Sequence, residues 1–365
     1  MKKILYSLAI LALAVACGPN TLTVEGTIAE GETFPIDQLV YLVDGDNVLD
    51  STAVTDGKFT LKAAANPEKI YGVTANFRNR LPRDRYWKFG VIGEKGTVKL
   101  VFAPSSAACT LSGSKINDDM IALNEGINAL NQDYREKVSA LPDDAVAEAE
   151  ALYEEMMAQI KDLCIKAIDG NKNNYIALYA LQNIIYDLPL EELDGILDKC
   201  GKFVREDEHV ARIHACKVAE IATAEGKPFV DFTGKTPMGD EVRLSDFVGK
   251  GKWVLTDFWA SWCGPCMREV PNVKKTYEAL SGDKFTVLGI AVWDGDNSAS
   301  AQRMIEMEMT WPQIFVGEDN APTDNYGIVG IPTMILFAPD GTIYKRGEEL
   351  RGAGMMETIR DIINQ

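Results

Sequence analysis

The stretch "TDFWASWCGPCMREVP", residues 256–271, constrains the fold of this chain more than any other. An apolar run, "KWVLTDFWA", leads straight into Cys263 and Cys266, with Gly264 and Pro265 between them. The run predicts a buried strand, and the cysteines open a predicted helix. Gly and Pro are tolerated there, because the N–H that proline lacks has no partner in a first helical turn. Three chemistries suit a close cysteine pair. A zinc site needs four ligands, of which this spacing supplies half. No second close cysteine pair exists, and the two histidines, His209 and His214, are five apart in a predicted helix of another region, where they share a face poorly. A purely structural disulfide here closes almost no loop and adds little through chain entropy. Redox exchange fits best. Unpaired N–H groups and the dipole at a helix start favour a thiolate. Cys263, expected at an exposed turn, attacks; Cys266, one turn on, resolves the mixed disulfide intramolecularly.

The N-terminal segment, residues 1–17, reads "MKKILYSLAILALAVAC". Lys2 and Lys3 precede an apolar run of 12 residues, too short to span a bilayer, which ends in Ala14-Val15-Ala16-Cys17. The ending resembles a bacterial lipobox, with Cys17 as the lipidation site, although Ala14 stands where leucine is commonest. An ordinary secretory cleavage cuts the same bond. Either way the expected location is the cell envelope, facing the periplasm, where disulfides persist; the lipobox reading, which is preferred, adds a lipid anchor on Cys17.

A chain of 365 residues exceeds one ordinary core. Residues 21–114 alternate apolar and polar in short runs, with a hairpin signal at "DGDN", and predict a small all-β sandwich or barrel. Residues 115–225 are rich in Ala, Leu, Glu and Lys at helical spacing and predict a helical domain, with Leu152, Met156, Ile160 and Leu163 on one stripe. Residues 226–365 alternate strands and helices and predict an α/β domain with a mixed sheet. The net charge of −17 argues against nucleic-acid binding.

The last 140 residues or so resemble the thioredoxin superfamily. Trp262-Cys263-Gly264-Pro265-Cys266 matches the active-site motif of thioredoxin, Asp257-Phe258-Trp259-Ala260 matches the block before it, Pro271 falls where the active-site helix carries its proline, and Gly330-Ile331-Pro332-Thr333 matches the block bearing the family's cis-proline. The leading "FVDFTG", the extra segment between Trp293 and Trp311, and the export signal resemble the membrane-anchored TlpA/ResA-like branch. The resemblance implies a thioredoxin-like α/β fold, a redox disulfide between Cys263 and Cys266, and thiol-disulfide oxidoreductase activity without cofactor or metal. It implies that Asp257, buried beneath the pair, accepts the proton of Cys266, with a pKa raised by desolvation first and like charge second. It implies that Gly330, Ile331 and Pro332 present backbone to an extended substrate while Trp262 flanks the groove. The bland alternatives are a strand-end aspartate bonded to backbone and a tryptophan that fills core. One departure stands out: thioredoxin has a lysine on the central strand near its buried aspartate, and "KFTVLGIAVW" has none inside it.

Strongly oxidising relatives carry a histidine between the cysteines; here Gly-Pro implies the reducing end of the family. The expected substrates are cysteine-containing envelope proteins, with electrons from an upstream membrane donor. An oxidase or isomerase is the opposing direction. A different class of reading makes the front domains a tethered binding protein, on the strength of "NFRNRLPRDRYWKF", residues 76–89, where five basic residues stand among aromatics. Cys164 is expected to be a buried, inert thiol, and a disulfide between Cys200 and Cys216 is weighed beside it, with Cys109 unassigned.

Overall fold

In a computed structural model of the protein the described residues are 20–32, 34, 39–75, 88–103, 109–142 and 144–364. The export segment with Cys17 lies outside them, as does most of the basic stretch (76–87). The described residues of Met1–Asp187 and Asp194–Asp207 form one compact unit, those of Leu188–Leu193 and Glu208–Gln365 another.

In the first unit, eight strands make two sheets. They are β1 (Thr21–Ile28), β2 (Leu39–Asp44), β3 (Asn47–Ala53), β4 (Lys58–Ala64), β5 (Asn66–Thr74), β6 (Lys88–Gly93), β7 (Gly96–Phe102) and β8 (Thr110–Ser112). The orders are β4-β1-β7-β8 and β3-β2-β5-β6. The period-2 alternation legible in "TLTVEGTI" turns Leu22 and Val24 inward, where they join Val40, Leu42, Leu61, Val73, Val91 and Leu100 from both sheets in one core. Each such side chain contributes about 1.5–3 kcal/mol by leaving water. The sandwich form of the all-β expectation is the one observed.

Helices follow: α1 (Lys115–Ser139), α2 (Val146–Gly170), α3 (Tyr175–Ile184), α4 (Leu190–Leu197), the single turn α5 (Lys202–Arg205) and, in the second unit, α6 (Glu208–Ala222). Asn117 fastens α1 to the sheet, accepting from Ile92 N at 2.8 Å and donating to Ile92 O at 3.1 Å. The buried stripe of α2 is Met156, Ile160, Cys164 and Ile168, a run of i,i+4 steps. Leu152 and Leu163 are only half-buried. Leu163 packs instead over Gly126 of α1, where an added Cβ would meet it at 2.7 Å.

The second unit adds β9 (Thr233–Lys235), β10 (Glu241–Arg243), β11 (Trp253–Trp259), α7 (Gly264–Leu280), β12 (Phe285–Val292), α8 (Asn297–Glu306), β13 (Gln313–Gly317), α9 (Ala321–Asn325), β14 (Thr333–Phe337), β15 (Ile343–Arg346) and α10 (Met355–Ile363). Its sheet runs β10-β9-β13-β12-β11-β14-β15, with β11, β12 and β13 mutually parallel and β14 antiparallel to β11. The mixed sheet is as expected. The central strands are buried on both faces, so alternate residues of β11 enter two different cores: Leu255 and Trp259 pack with α7 and α10, Val254 and Phe258 pack with Tyr326, Ile328 and Ile343. Six elements, α5, β9, β10, β13, α8 and α9, are not apparent in the sequence. The single-turn helix and the three-residue strands are too short to show a period, and β13 opens on a glutamine.

Candidate active site

The apolar run of β11 ends at Trp259, and the chain turns into α7 within a few residues. Cys263 is the N-cap of α7, and Pro265 lies in the first turn. Cys263 and Cys266 form a disulfide with Cα atoms 5.3 Å apart. The Cys266 backbone N–H donates to Cys263 Sγ at 3.1 Å. One of the orphan donors of the helix start therefore serves the sulfur, which favours negative charge there when the pair is reduced.

Cys263 is 4% exposed, so the expected open turn is not open in this state. The cause is twofold: its sulfur is bonded inward to Cys266, and the Ile331 carbonyl oxygen lies 3.7 Å from it. The Ile331–Pro332 peptide is cis. Gly330 is exposed beside it, and its carbonyl accepts from Thr333 Oγ1 at 2.7 Å. Trp262 is 63% exposed, which excludes the core-filler reading, and its indole N–H donates to Trp293 O at 3.2 Å. Sequence reasoning missed what holds this loop. Buried Asp294 accepts from Ser261 N at 3.0 Å, from Ser261 Oγ at 2.7 Å and from Ser300 Oγ, while Arg303 Nε donates to Ser261 O.

Asp257 sits between Leu255 and Trp259 on the face that α7 covers, the face that also receives Cys263 and Cys266. It is 2% exposed, and its Oδ1 has no hydrogen-bond partner among the described residues, unlike a strand-end aspartate tied to backbone. Burial pushes its pKa up to about 7, the negative charge of Glu269 adds to the rise, and Arg351 opposes it. The like charge is thus a carboxylate of α7. Glu269 is itself buried and accepts from Asn272 Nδ2 at 2.9 Å and Gly352 N at 2.7 Å. A glutamate one helical turn beyond Cys266 was the signal for it; nothing local points to Arg351, which arrives from beyond β15.

Among the described residues the other thiols, Cys109, Cys164, Cys200 and Cys216, are free, so the pairing of Cys200 with Cys216 is not formed. Cys216 Sγ lies 3.7 Å from Asp324 Oδ1 instead. Burial raises the pKa of each, that of Cys164 to about 11, which keeps them protonated and inert.

Residues 226–346 match the AhpC/TSA family, and residues 22–120 match a family described as a domain of unknown function, DUF4369. The chain is 31% identical over 126 residues to the thioredoxin-like protein YneN of Bacillus subtilis, which spans 34% of this chain and 71% of that protein. It is 30% identical over 127 residues to the thiol-disulfide oxidoreductase ResA of Geobacillus thermodenitrificans, 34% of this chain and 70% of that one. Among solved structures, the thioredoxin domain of a Bacteroides vulgatus thiol-disulfide oxidoreductase is 34% identical, covers 39% of this chain and 99% of its own, and superposes with a TM-score of 0.36.

Proposed function

Because the chain belongs to the thioredoxin-like AhpC/TSA family, among relatives of the ResA type that exchange thiols and disulfides, we propose that it reduces disulfides of cell-envelope proteins. The observation that carries the chemistry is the pairing of a helix-capping cysteine with a buried carboxyl poised near neutral pH on the same face. In the reduced protein, Cys263 thiolate attacks one sulfur of a substrate disulfide. That S–S bond breaks, a mixed disulfide forms, and one substrate thiolate leaves. Asp257 takes the proton of Cys266, whose thiolate attacks Cys263 Sγ and expels the second substrate thiolate. Two electrons pass to the substrate, and the protein is left as the Cys263–Cys266 disulfide.

Exposed Trp262 and the Gly330–Ile331 backbone supply the surface along which an extended peptide would lie. Trapping tests this. A Cys266→Ala variant is expected to hold a substrate protein through Cys263 as a mixed disulfide that dithiothreitol releases, and Cys263→Ala to hold none. Equal capture by both variants would sink the catalytic assignment.

The direction of electron flow is supported by the Gly-Pro pair and by the absence of histidine from residues 226–365; equilibration with glutathione reads it directly. Regeneration requires a dithiol donor, which we place in the membrane. The ending Ala14-Val15-Ala16-Cys17 supports export with a lipid anchor on Cys17. Labelled palmitate is expected to enter the native chain and not a Cys17→Ala variant; equal labelling of the two would exclude the anchor.

A further inference from the structure

Asp257 lacks the lysine neighbour that the thioredoxin resemblance leads one to expect, and the geometry identifies what stands in its place. In the sheet register Asp257 on β11 is beside Gly289 on β12, and Gly289 is beside Gln313 on β13. Lateral neighbours in a sheet point to the same face, so the three positions form a row beneath α7. Gly289 brings no side chain to that row, and the Gln313 amide fills the space above it. A Cβ at Gly289 would meet Gln313 Oε1 at 2.0 Å and Nε2 at 2.6 Å. Gln313 therefore reaches back across the empty middle position toward Asp257.

The orientation of the amide follows from its one bond. Trp259 Nε1–H can only donate, and it donates to Gln313 Oε1 at 3.0 Å. The other end of the amide is then the NH2 group. Gln313 is 3% exposed and Asp257 2%. Gln313 Nε2 and Asp257 Oδ1 are both buried without a hydrogen-bond partner among the described residues. One is a donor and the other an acceptor, on the same face, with a glycine between their strands. Leaving a buried donor and a buried acceptor both unsatisfied is costly; a single water bound between them would satisfy both, and a site for one needs two to four polar partners.

We propose that Gln313 is a positioning residue for Asp257: its amide N–H, held in orientation by Trp259, binds a water that donates to the Asp257 carboxylate and favours the ionised form that accepts the proton of Cys266. The charged and titratable groups facing Asp257 are Glu269 and Cys266 from α7 and Arg351 from beyond β15. Gly289, Gln313 and Met334, its row on the neighbouring strands, bring none. Gln313 adds a neutral donor to this set, where a lysine would have added a full charge. The arrangement depends on Gly289, because a side chain there would displace the amide.

The inference rests on Asp257 as the proton acceptor, and its test does not depend on turnover. In the oxidised full-length protein, the carbon-13 shift of the Asp257 carboxyl, assigned with Asp257→Asn, is followed against pH. Removing a donor from the ionised form raises the pKa. The midpoint is expected to rise by about one pH unit in Gln313→Leu and further in Gln313→Glu, which keeps the acceptor for Trp259. An unmoved midpoint in either folded variant overturns the proposal, even where stability falls. In the unaltered protein, the Gln313 side-chain amide protons are expected to show cross-relaxation with a bound water. Its absence overturns the proposal without any variant. If the titration shifts as expected while Asp257→Asn leaves disulfide exchange unchanged, the catalytic role of Asp257 fails and the positioning of its charge stands.

Discussion

Asp257→Asn is expected to stabilise the protein at pH 8 and to leave stability nearly unchanged at pH 3. The carboxyl has a pKa raised from 3.8 to about 7 by burial and by Glu269. Below pH 3.8 it is neutral whether the chain is folded or not, so it costs nothing. Between there and pH 7 the unfolded chain ionises while the folded chain keeps its proton. Stability is lost as pH rises through that window and then levels off. At about 1.4 kcal/mol per pH unit the loss reaches roughly 4 kcal/mol, with the opposing attraction of Arg351 already contained in that pKa. Urea unfolding of both proteins at pH 3, 5 and 8 reads the difference directly, and a difference independent of pH would refute the buried, ionising carboxyl. The same variant should resolve mixed disulfides about 10²-fold more slowly, within the range of general base catalysis. Stability gained and rate lost from one substitution would mark the residue as kept for chemistry.

The second large effect concerns the redox equilibrium. In a glutathione buffer poised at about −200 mV, the pair is expected to remain almost wholly disulfide, because couples at the reducing end of the family lie at about −270 mV and each 30 mV is roughly tenfold. The expected bias is about 10²-fold. Two opposing influences act on the reduced form. The Cys266 N–H at Cys263 Sγ stabilises a thiolate and hence the dithiol. The buried carboxyls of Asp257 and Glu269 disfavour added negative charge in the same layer, and residues 226–365 hold no histidine to offset them. Alkylation of the equilibrated thiols followed by mass measurement counts the reduced fraction. A pair found mostly reduced in that buffer would reverse the direction and make the protein an oxidant or isomerase.

Glu269 connects these two results. Its carboxylate is held by Asn272 and by the Gly352 N–H, so its position is fixed from two separate parts of the chain. It acts on Asp257 as a repelling charge in a low-dielectric layer, where such effects are weakly screened. Arg351 acts with the opposite sign from the segment beyond β15, and its Nε is buried without a partner among the described residues. Of the charged side chains that act in the acid–base behaviour of the site, Asp257, Glu269 and Arg351, only Asp257 precedes the cysteines.

The parts legible in the sequence are those with local causes. The strand into Cys263, the helix that Cys263 caps, and the alternation of β1 and β7 follow from apolar period and from which residues a helix start tolerates. Cysteine spacing alone made the second attack intramolecular. The sequence was misleading where burial had two solutions, as in α2, whose buried face takes Cys164 while Leu163 lies over Gly126. It was silent on short elements such as β9 and β10. What only the tertiary structure decided is electrostatic and lateral. The covering of Cys263 by the Ile331 carbonyl, the charges that act on Asp257, and the amide of Gln313 across Gly289 all join residues distant along the chain. A pKa is set by what packing removes from water and by which charges it brings near, and neither quantity has a period or a spacing that a sequence can display.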